Sequence, residues 1–364
     1  MRSATVSGRW RTIGLALALL ALASCGGGGG GSSAPPTPGS KLFITDGGNH
    51  AIASLINAAP TVGSTFTIDR TVQGSNTGLN DIGGTPSISS IPSIALDAAN
   101  DRLFVATQVH AVVFDNIGTA DGNAAFSRRI SATVDTGGGP RSVNFYGLSV
   151  DTTNNILYVA DLTGEVHAFS NASTRNGVTT PDRTVTPNLG TTQVVFPFGI
   201  AVDRVRNLLY VGIVPSGSPA FMIVFNGAST ANTNTAPNQS RVPDRTFVLP
   251  GAGSFHLDEA TDRLYVSRFD GVVWVFDNAS GLTSTPTQNR TIDLFLNLTG
   301  RTQPFIFVDT SRNKLYAVGN DPGGTFSRFF IIDNASTADE PNVTGILATI
   351  TATNIRLSAV AVKP

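Results

Sequence analysis

One pattern recurs six times along this 364-residue chain, and it constrains the fold more than any other feature. Apolar stretches ending in Asp open each copy: Ile94-Ala95-Leu96-Asp97, Leu148-Ser149-Val150-Asp151, Ile200-Ala201-Val202-Asp203, Phe255-His256-Leu257-Asp258 and Ile306-Phe307-Val308-Asp309. A sixth copy, Val360-Ala361-Val362-Lys363, lacks the acid; the steps between copies are 54, 52, 55, 51 and 54 residues. Each stretch, strand A, is followed after a short polar turn by a second, strand B: Leu103-Phe104-Val105, Leu157-Tyr158-Val159, Leu209-Tyr210-Val211, Leu264-Tyr265-Val266 and Leu315-Tyr316-Ala317. An additional strand B, Leu42-Phe43-Ile44, precedes the first strand A. Strand C ends in an aromatic or aliphatic residue and a turn, as in Phe276-Asp277-Asn278-Ala279-Ser280. Strand D carries runs such as Asp182-Arg183-Thr184-Val185.

Short β-branched and aromatic runs bounded by Gly, Asn and Pro are strands, and no useful length has helical periodicity. Four short strands repeated six times predict an all-β fold, a six-bladed β-propeller with four antiparallel strands per blade. Because the repeats begin at strand B and end at strand A, the C-terminal strand A is expected to complete the N-terminal blade. That closure leaves no unpaired edge at the junction. The propeller is assigned to residues 41–364.

Composition excludes several functions. Charged residues make up 13% of the chain, about half the usual share. Lys+Arg 24 against Asp+Glu 25 provides no basic footprint for nucleic acid. A single Cys rules out an internal disulfide or a Cys-rich zinc site.

That Cys lies in a distinctive place. Arg2, Arg9 and Arg11 precede the apolar run Ile13 to Ala23, which is shorter than the roughly 20 residues needed to span a bilayer. A basic start and a short apolar stretch read as a signal peptide over residues 1–24. The sequence Leu22-Ala23-Ser24-Cys25 resembles the lipobox of bacterial lipoproteins, with Ser24 where Gly or Ala is usual. The resemblance implies cleavage before Cys25, multiple acylation of that residue and a mature net charge of −4. Gly26 after the Cys resembles lipoproteins sorted onward to an outer membrane. The expected location is therefore the cell envelope, at the periplasmic face of the outer membrane or the cell surface. The membrane partner is engaged through lipid on Cys25. Residues 25–40, rich in Gly, Ser and Pro, then form a flexible tether.

The phrases Gly199-Ile200-Ala201-Val202-Asp203, Leu157-Tyr158-Val159-Ala160-Asp161 and Asn49-His50-Ala51-Ile52 resemble NHL-repeat propellers. The family's repeat is shorter, and the extra length here falls mainly in the C–D links, for example 226–243. In such propellers the B–C and D–A links line the ligand-binding face. The resemblance thus places Asp46, His50, Tyr146, Asp161, Glu165 and Arg268 at the channel mouth as candidate ligand-binding residues, with Arg141 and Asn144 nearby. The long D–A link 74–92 is a candidate lid.

The remaining repeated polar residues have structural readings. Asp97, Asp151, Asp203, Asp258 and Asp309 are expected to cap their own turns, and the strand D arginines to form ion pairs between strands or blades. Asn-Ala-Ser turns at Asn278 and Asn334 match glycosylation sequons but are read as turns. No Gly-X-Ser-X-Gly followed by a helix and no His-Glu-X-X-His is present. His256, inside a strand A, is either a channel-facing base or a core histidine. The expected function is a binding or scaffold module for an envelope protein, peptide or small polar ligand, acting as a monomer without a cofactor. The alternative is a metal-dependent, lactonase-like or other small-molecule hydrolase using calcium. It would need several oxygen ligands converging near the axis.

Overall fold

A computed structural model describes residues 41–56, 68–80, 93–135, 139–189, 195–215, 219–233, 240–294, 304–320, 327–339, 346–350 and 357–363. Residues 1–40, read above as signal peptide and tether, and residues 81–92 of the long link lie outside the described residues.

Six four-stranded antiparallel units follow in chain order, each running A-B-C-D from one edge to the other. Blade 1 takes strand A from Leu357–Lys363 and strands B, C and D from Lys41–Asp46, Ala51–Ile56 and Ile68–Val72. Blade 2 comprises Ile94–Asp97, Arg102–Ala106, Ala111–Asp115 and Arg128–Asp135. Blade 3 comprises Gly147–Asp151, Ile156–Ala160, Val166–Ser170 and Arg183–Val185. Blade 4 comprises Val195–Asp203, Leu208–Pro215, Phe221–Asn226 and Arg245–Val248. Blade 5 comprises Ala252–Asp258, Arg263–Arg268, Val272–Asp277 and Arg290–Asp293. Blade 6 comprises Phe305–Asp309, Lys314–Asn320, Ser327–Asp333 and Ile346–Ile350. Each strand A packs against strand A of the next blade, and the sixth packs against the first, so the innermost strands form a closed ring. The N- and C-terminal strands pair antiparallel from Lys41↔Lys363 to Asp46↔Leu357, with a one-residue shift between Thr45 and Asp46, closing the ring as the repeat order requires.

The Leu-Tyr-Val motif of strand B follows from strand periodicity. Side chains alternate between the two sheet faces, and each face meets a different neighbouring blade. Leu157 and Val159 enter the core shared by blades 2 and 3, whereas Tyr158 enters the core shared by blades 3 and 4. The same division holds for Leu264 and Tyr265. Six such cores, one at each blade interface, make up the apolar interior. Strands buried on both faces leave little room for charge, which accounts for the low charged fraction.

The repeated polar residues build the face that carries the A–B and C–D turns. Asp151 Oδ1 accepts from the backbone N–H groups of Thr153 and Asn154 at 3.0 and 2.9 Å. Asp97, Asp203, Asp258 and Asp309 cap their turns in the same way. Each A–B turn ends in a left-handed residue, Asp101, Asn155, Asn207, Asp262 or Asn313, with φ between 51° and 55°. Asn and Asp tolerate this region. Their side chains accept a backbone N–H from the C–D turn of the same blade: Gly118, Ser173, Ser229, Ser280 and Ser336. The Asn-Ala-Ser turns are thereby explained, because the first residue is left-handed, the Ala is fully buried and the Ser N–H is tied to the neighbouring turn.

The extra repeat length in the C–D links covers the outer edges. Residues Gly177–Thr179, from the C–D link of blade 3, pair in parallel with Ile130 to Ala132 on strand D of blade 2. Gly122 bridges Val72 and Ser284 bridges Phe247, each joining a link to the preceding blade's strand D, and Arg241 bridges Pro187 just beyond strand D of blade 3. Asp339 accepts from Thr291 N in the same sense. Exposed strand edges invite pairing with other chains, and these links occupy the edges of blades 1 to 5. Four of the strand D arginines divide between two roles. Arg128 and Arg290 pair with Asp115 and Asp277 of the adjacent strand C. Arg70 and Arg183 instead donate to the carbonyls of Gly118 and Ala228 in the next blade.

Candidate functional site

Arg141, from the D–A link into blade 3, reaches Asp161 and Glu165 in the B–C link of that blade, so both kinds of link share one face. The position four residues after the strand B Leu, at or near the strand's end, holds Asp46, Thr107, Asp161, Ile213, Arg268 and Gly319 in blades 1 to 6. The opposite face repeats one turn chemistry; on this face only blades 1 and 3 share a residue, Asp.

At blade 3 the turn is a tight hairpin. Asp161 N donates to Glu165 O at 2.8 Å, Gly164 has φ 86°, and Thr163 N donates to Asp161 Oδ1 at 3.0 Å. Asp161 and His167 are fully buried. Arg141 donates from one NH2 group to Asp161 Oδ2 at 2.7 Å, and from the other to Glu165 Oε2 and to Thr163 Oγ1. His167 Nε2 lies 3.3 Å from Asp161 Oδ2 and 3.7 Å from Glu165 Oε2. Strand register places Thr184 opposite His167. His167 Nδ1 lies 3.0 Å from Thr184 Oγ1, and Thr186 Oγ1 donates to Glu165 Oε1 at 3.1 Å.

The electrostatics follow from that enclosure. Burial would raise the Asp161 carboxyl, but bonds from His167, Arg141 and Thr163 outweigh it and hold the group below the ordinary Asp value. Burial likewise works against charge on Arg141, yet Asp161 and Glu165 raise its affinity for the proton above the usual level. The four side chains form one polar network, in which the guanidinium pairs with two carboxylates and the imidazole adjoins them.

The other candidates lie outside this network. Asp46 uses its oxygens on its own turn, accepting from Gly48 N, Asn49 N and Asn49 Nδ2 at 2.9, 3.2 and 2.6 Å. His50 occupies the left-handed turn position, with φ 51°. Tyr146 donates its backbone N–H to Ala160 O, adjacent to Asp161, and burial raises its phenol. Arg268 lies over the Trp274 ring at 4.0 Å and pairs with Asp270, beside Phe269, which is 55% exposed. His256 meets Phe307 edge-on at 4.8 Å, and the dense surroundings push its imidazole down to about 4. Phe198 belongs to strand A of blade 4 and lies over Gly212, where a Cβ would come within 2.4 Å of its ring.

His167 is the network member that reading the motifs missed. A signal was present: in register, strand C places Ala53, Val112, Ile223, Trp274 and Phe330 where blade 3 has His167. One imidazole among five apolar equivalents marks a departure that the repeat does not require.

No family model matches this chain, and no curated protein matches it. Among solved structures, it is similar to the β-propeller domain of Myceliophteria thermophila Cps50 (Swd1). Identity is 13%, coverage is 71% of this chain and 72% of that one, and the TM-score is 0.42. The propeller assignment rests on the six sheets and their closed ring. Among the described residues, no helix is long and apolar enough to cross a membrane.

Proposed function

We propose that this protein is a membrane-tethered, extracytoplasmic propeller of NHL-like repeat type that acts as a binding or scaffold module. The observation carrying the binding role is the contrast between the two faces. One repeats Asp caps and left-handed Asn or Asp residues in five blades; the other presents Asp46 and Arg268, both partly exposed, at a position where Thr107, Asp161, Ile213 and Gly319 are buried. A rigid scaffold that holds chemically different groups at equivalent sites suits recognition. The Arg268–Trp274 stack and exposed Phe269 supply the aromatic and Arg character enriched at interface hot spots.

The lipobox-like residues 22–25 support tethering. A hydrolase is less well supported. Asp161 and Glu165 lie beyond strand B, one strand removed from the ring of strands A, and both pair with Arg141.

Two measurements test the proposal. Cys25→Ser should abolish incorporation of radiolabelled fatty acid and release the protein from washed membranes; unchanged labelling excludes Cys25 as the anchor. Quantitative capture from envelope extract should compare Arg268→Glu/Phe269→Ser with Asn100→Asp/Thr152→Glu on the opposite face. Equal loss of captured proteins from both variants would remove the assignment of the binding face.

A further inference from the structure

The donor atoms at blade 3 divide into two sets. Asp161 Oδ1, His167 Nδ1 and Glu165 Oε1 are engaged by Thr163 N, Thr184 Oγ1 and Thr186 Oγ1, at 3.0, 3.0 and 3.1 Å. The second atom of each, Asp161 Oδ2, His167 Nε2 and Glu165 Oε2, turns inward, and the three residues bring one ligand atom each within 4.8 Å of one another. Tetrahedral zinc holds N and O ligands at about 2.1 Å, which places ligand atoms roughly 3.4 Å apart. The observed separations of 3.3 and 3.7 Å from His167 Nε2 bracket that value. Threonine oxygens that anchor the outer atoms of an imidazole and a carboxylate have the arrangement that orients metal ligands.

The guanidinium of Arg141 is the cation now held by the two inward carboxylate oxygens. Its side chain is 25% exposed and Glu165 is 22% exposed, whereas Asp161 and His167 are sealed. The open side of the cluster is therefore the side Arg141 occupies. A departing Arg141 would retain solvent, and a divalent ion would neutralise both carboxylates.

We propose that Asp161, Glu165 and His167 form a divalent metal site of the zinc class, with Arg141 as the exchangeable cation that holds the ligands in place until the ion displaces it. An imidazole donor favours zinc-like ions over calcium, which takes oxygen ligands. The site does not depend on the binding-face proposal and adds a ligand to it.

The test is Zn²⁺ titration of the full chain by calorimetry, with Co²⁺ absorption reporting coordination. Wild type should take up one Zn²⁺ saturably and rise in Tm. His167→Gln should weaken uptake at least about tenfold. Thr184→Val, which keeps all three ligands, should also weaken it about tenfold. Arg141→Gln should have a lower Tm without metal, bind Zn²⁺ more tightly than wild type and recover more Tm on its addition. Saturable uptake that His167→Gln and Thr184→Val leave unchanged overturns the proposal, as does absence of uptake in both wild type and Arg141→Gln. Equal Zn²⁺ affinity of Arg141→Gln and wild type overturns the exchange role of Arg141.

Discussion

Removing the closing strand should cost more than the fold can spare. Truncation after Arg356 deletes Leu357, Ala359, Val360, Ala361 and Val362, each no more than 8% exposed. It also deletes six register pairs with Lys41–Asp46. Burying a Leu or Val side chain contributes about 1.5–3 kcal/mol, so Leu357, Val360 and Val362 together contribute about 6 kcal/mol before any backbone bond is counted. Thr45, fully buried, would lose its bonds to Ser358 Oγ at 3.0 Å and Ala359 O at 3.4 Å. Each orphaned buried group costs a further ~1–3 kcal/mol. Whole domains are stable by about 5–15 kcal/mol, so the truncated ring should unfold or associate through the exposed edge of Lys41–Asp46. Thermal unfolding followed by circular dichroism, with size-exclusion chromatography, reads both outcomes. A synthetic peptide spanning 357–364 should restore the Tm in trans, because an exposed strand edge accepts an added strand. A truncated chain that remains monomeric and keeps its Tm would refute the reasoning, since the ring would then not need its sixth strand A.

Three further outcomes follow from particular residues. Asn155→Ala removes the bonds to Ser173 at 2.8 and 2.9 Å and places Ala at φ 55°, so urea denaturation should show a loss of about 2 kcal/mol; Asn155→Asp, which retains an acceptor, should lose less. Holding His256 at about 4 means that the unfolded chain takes up this proton first as pH falls, so stability should decline between about pH 6.5 and pH 4. His256→Phe should flatten that part of the pH–Tm curve, and an unchanged slope would assign the decline to other groups. Asp277, lowered to about 2 by its bond with Arg290 and helped by Arg263, adds stability above its ordinary range that is lost as pH drops through 2. Asp277→Asn should cost about 1–2 kcal/mol at neutral pH by chemical denaturation, after allowing for its partial exposure.

The strand order, the six-fold count and the joining of the chain ends were legible because each depends on local pattern. Period-two alternation in Leu157-Tyr158-Val159 reports a strand buried on both faces, and a repeat that begins at B and ends at A permits one closure. Asp caps were legible for the same reason: Asp151 serves backbone groups two and three residues away. The candidate residues of the variable face could be named individually, but not grouped. Asp161 and Glu165 are joined by Arg141, about twenty residues earlier, and by His167, in a strand where the motif expects an apolar residue. Asp46 and Asp161 occupy equivalent positions, yet Asp46 spends its oxygens on its own turn while Asp161 directs one inward.

By itself, then, the sequence determined the repeating strands, the closure of the N-terminal blade by the C-terminal strand A and the residues that make the turns, since each is written in spacing and local hydrogen-bonding capacity. Tertiary structure alone decided that the long C–D links cover their neighbours' outer edges, and that one arginine, two carboxylates and one histidine meet at blade 3. Those contacts depend on the distance and direction between segments that packing brings together, and a linear repeat does not encode either quantity locally.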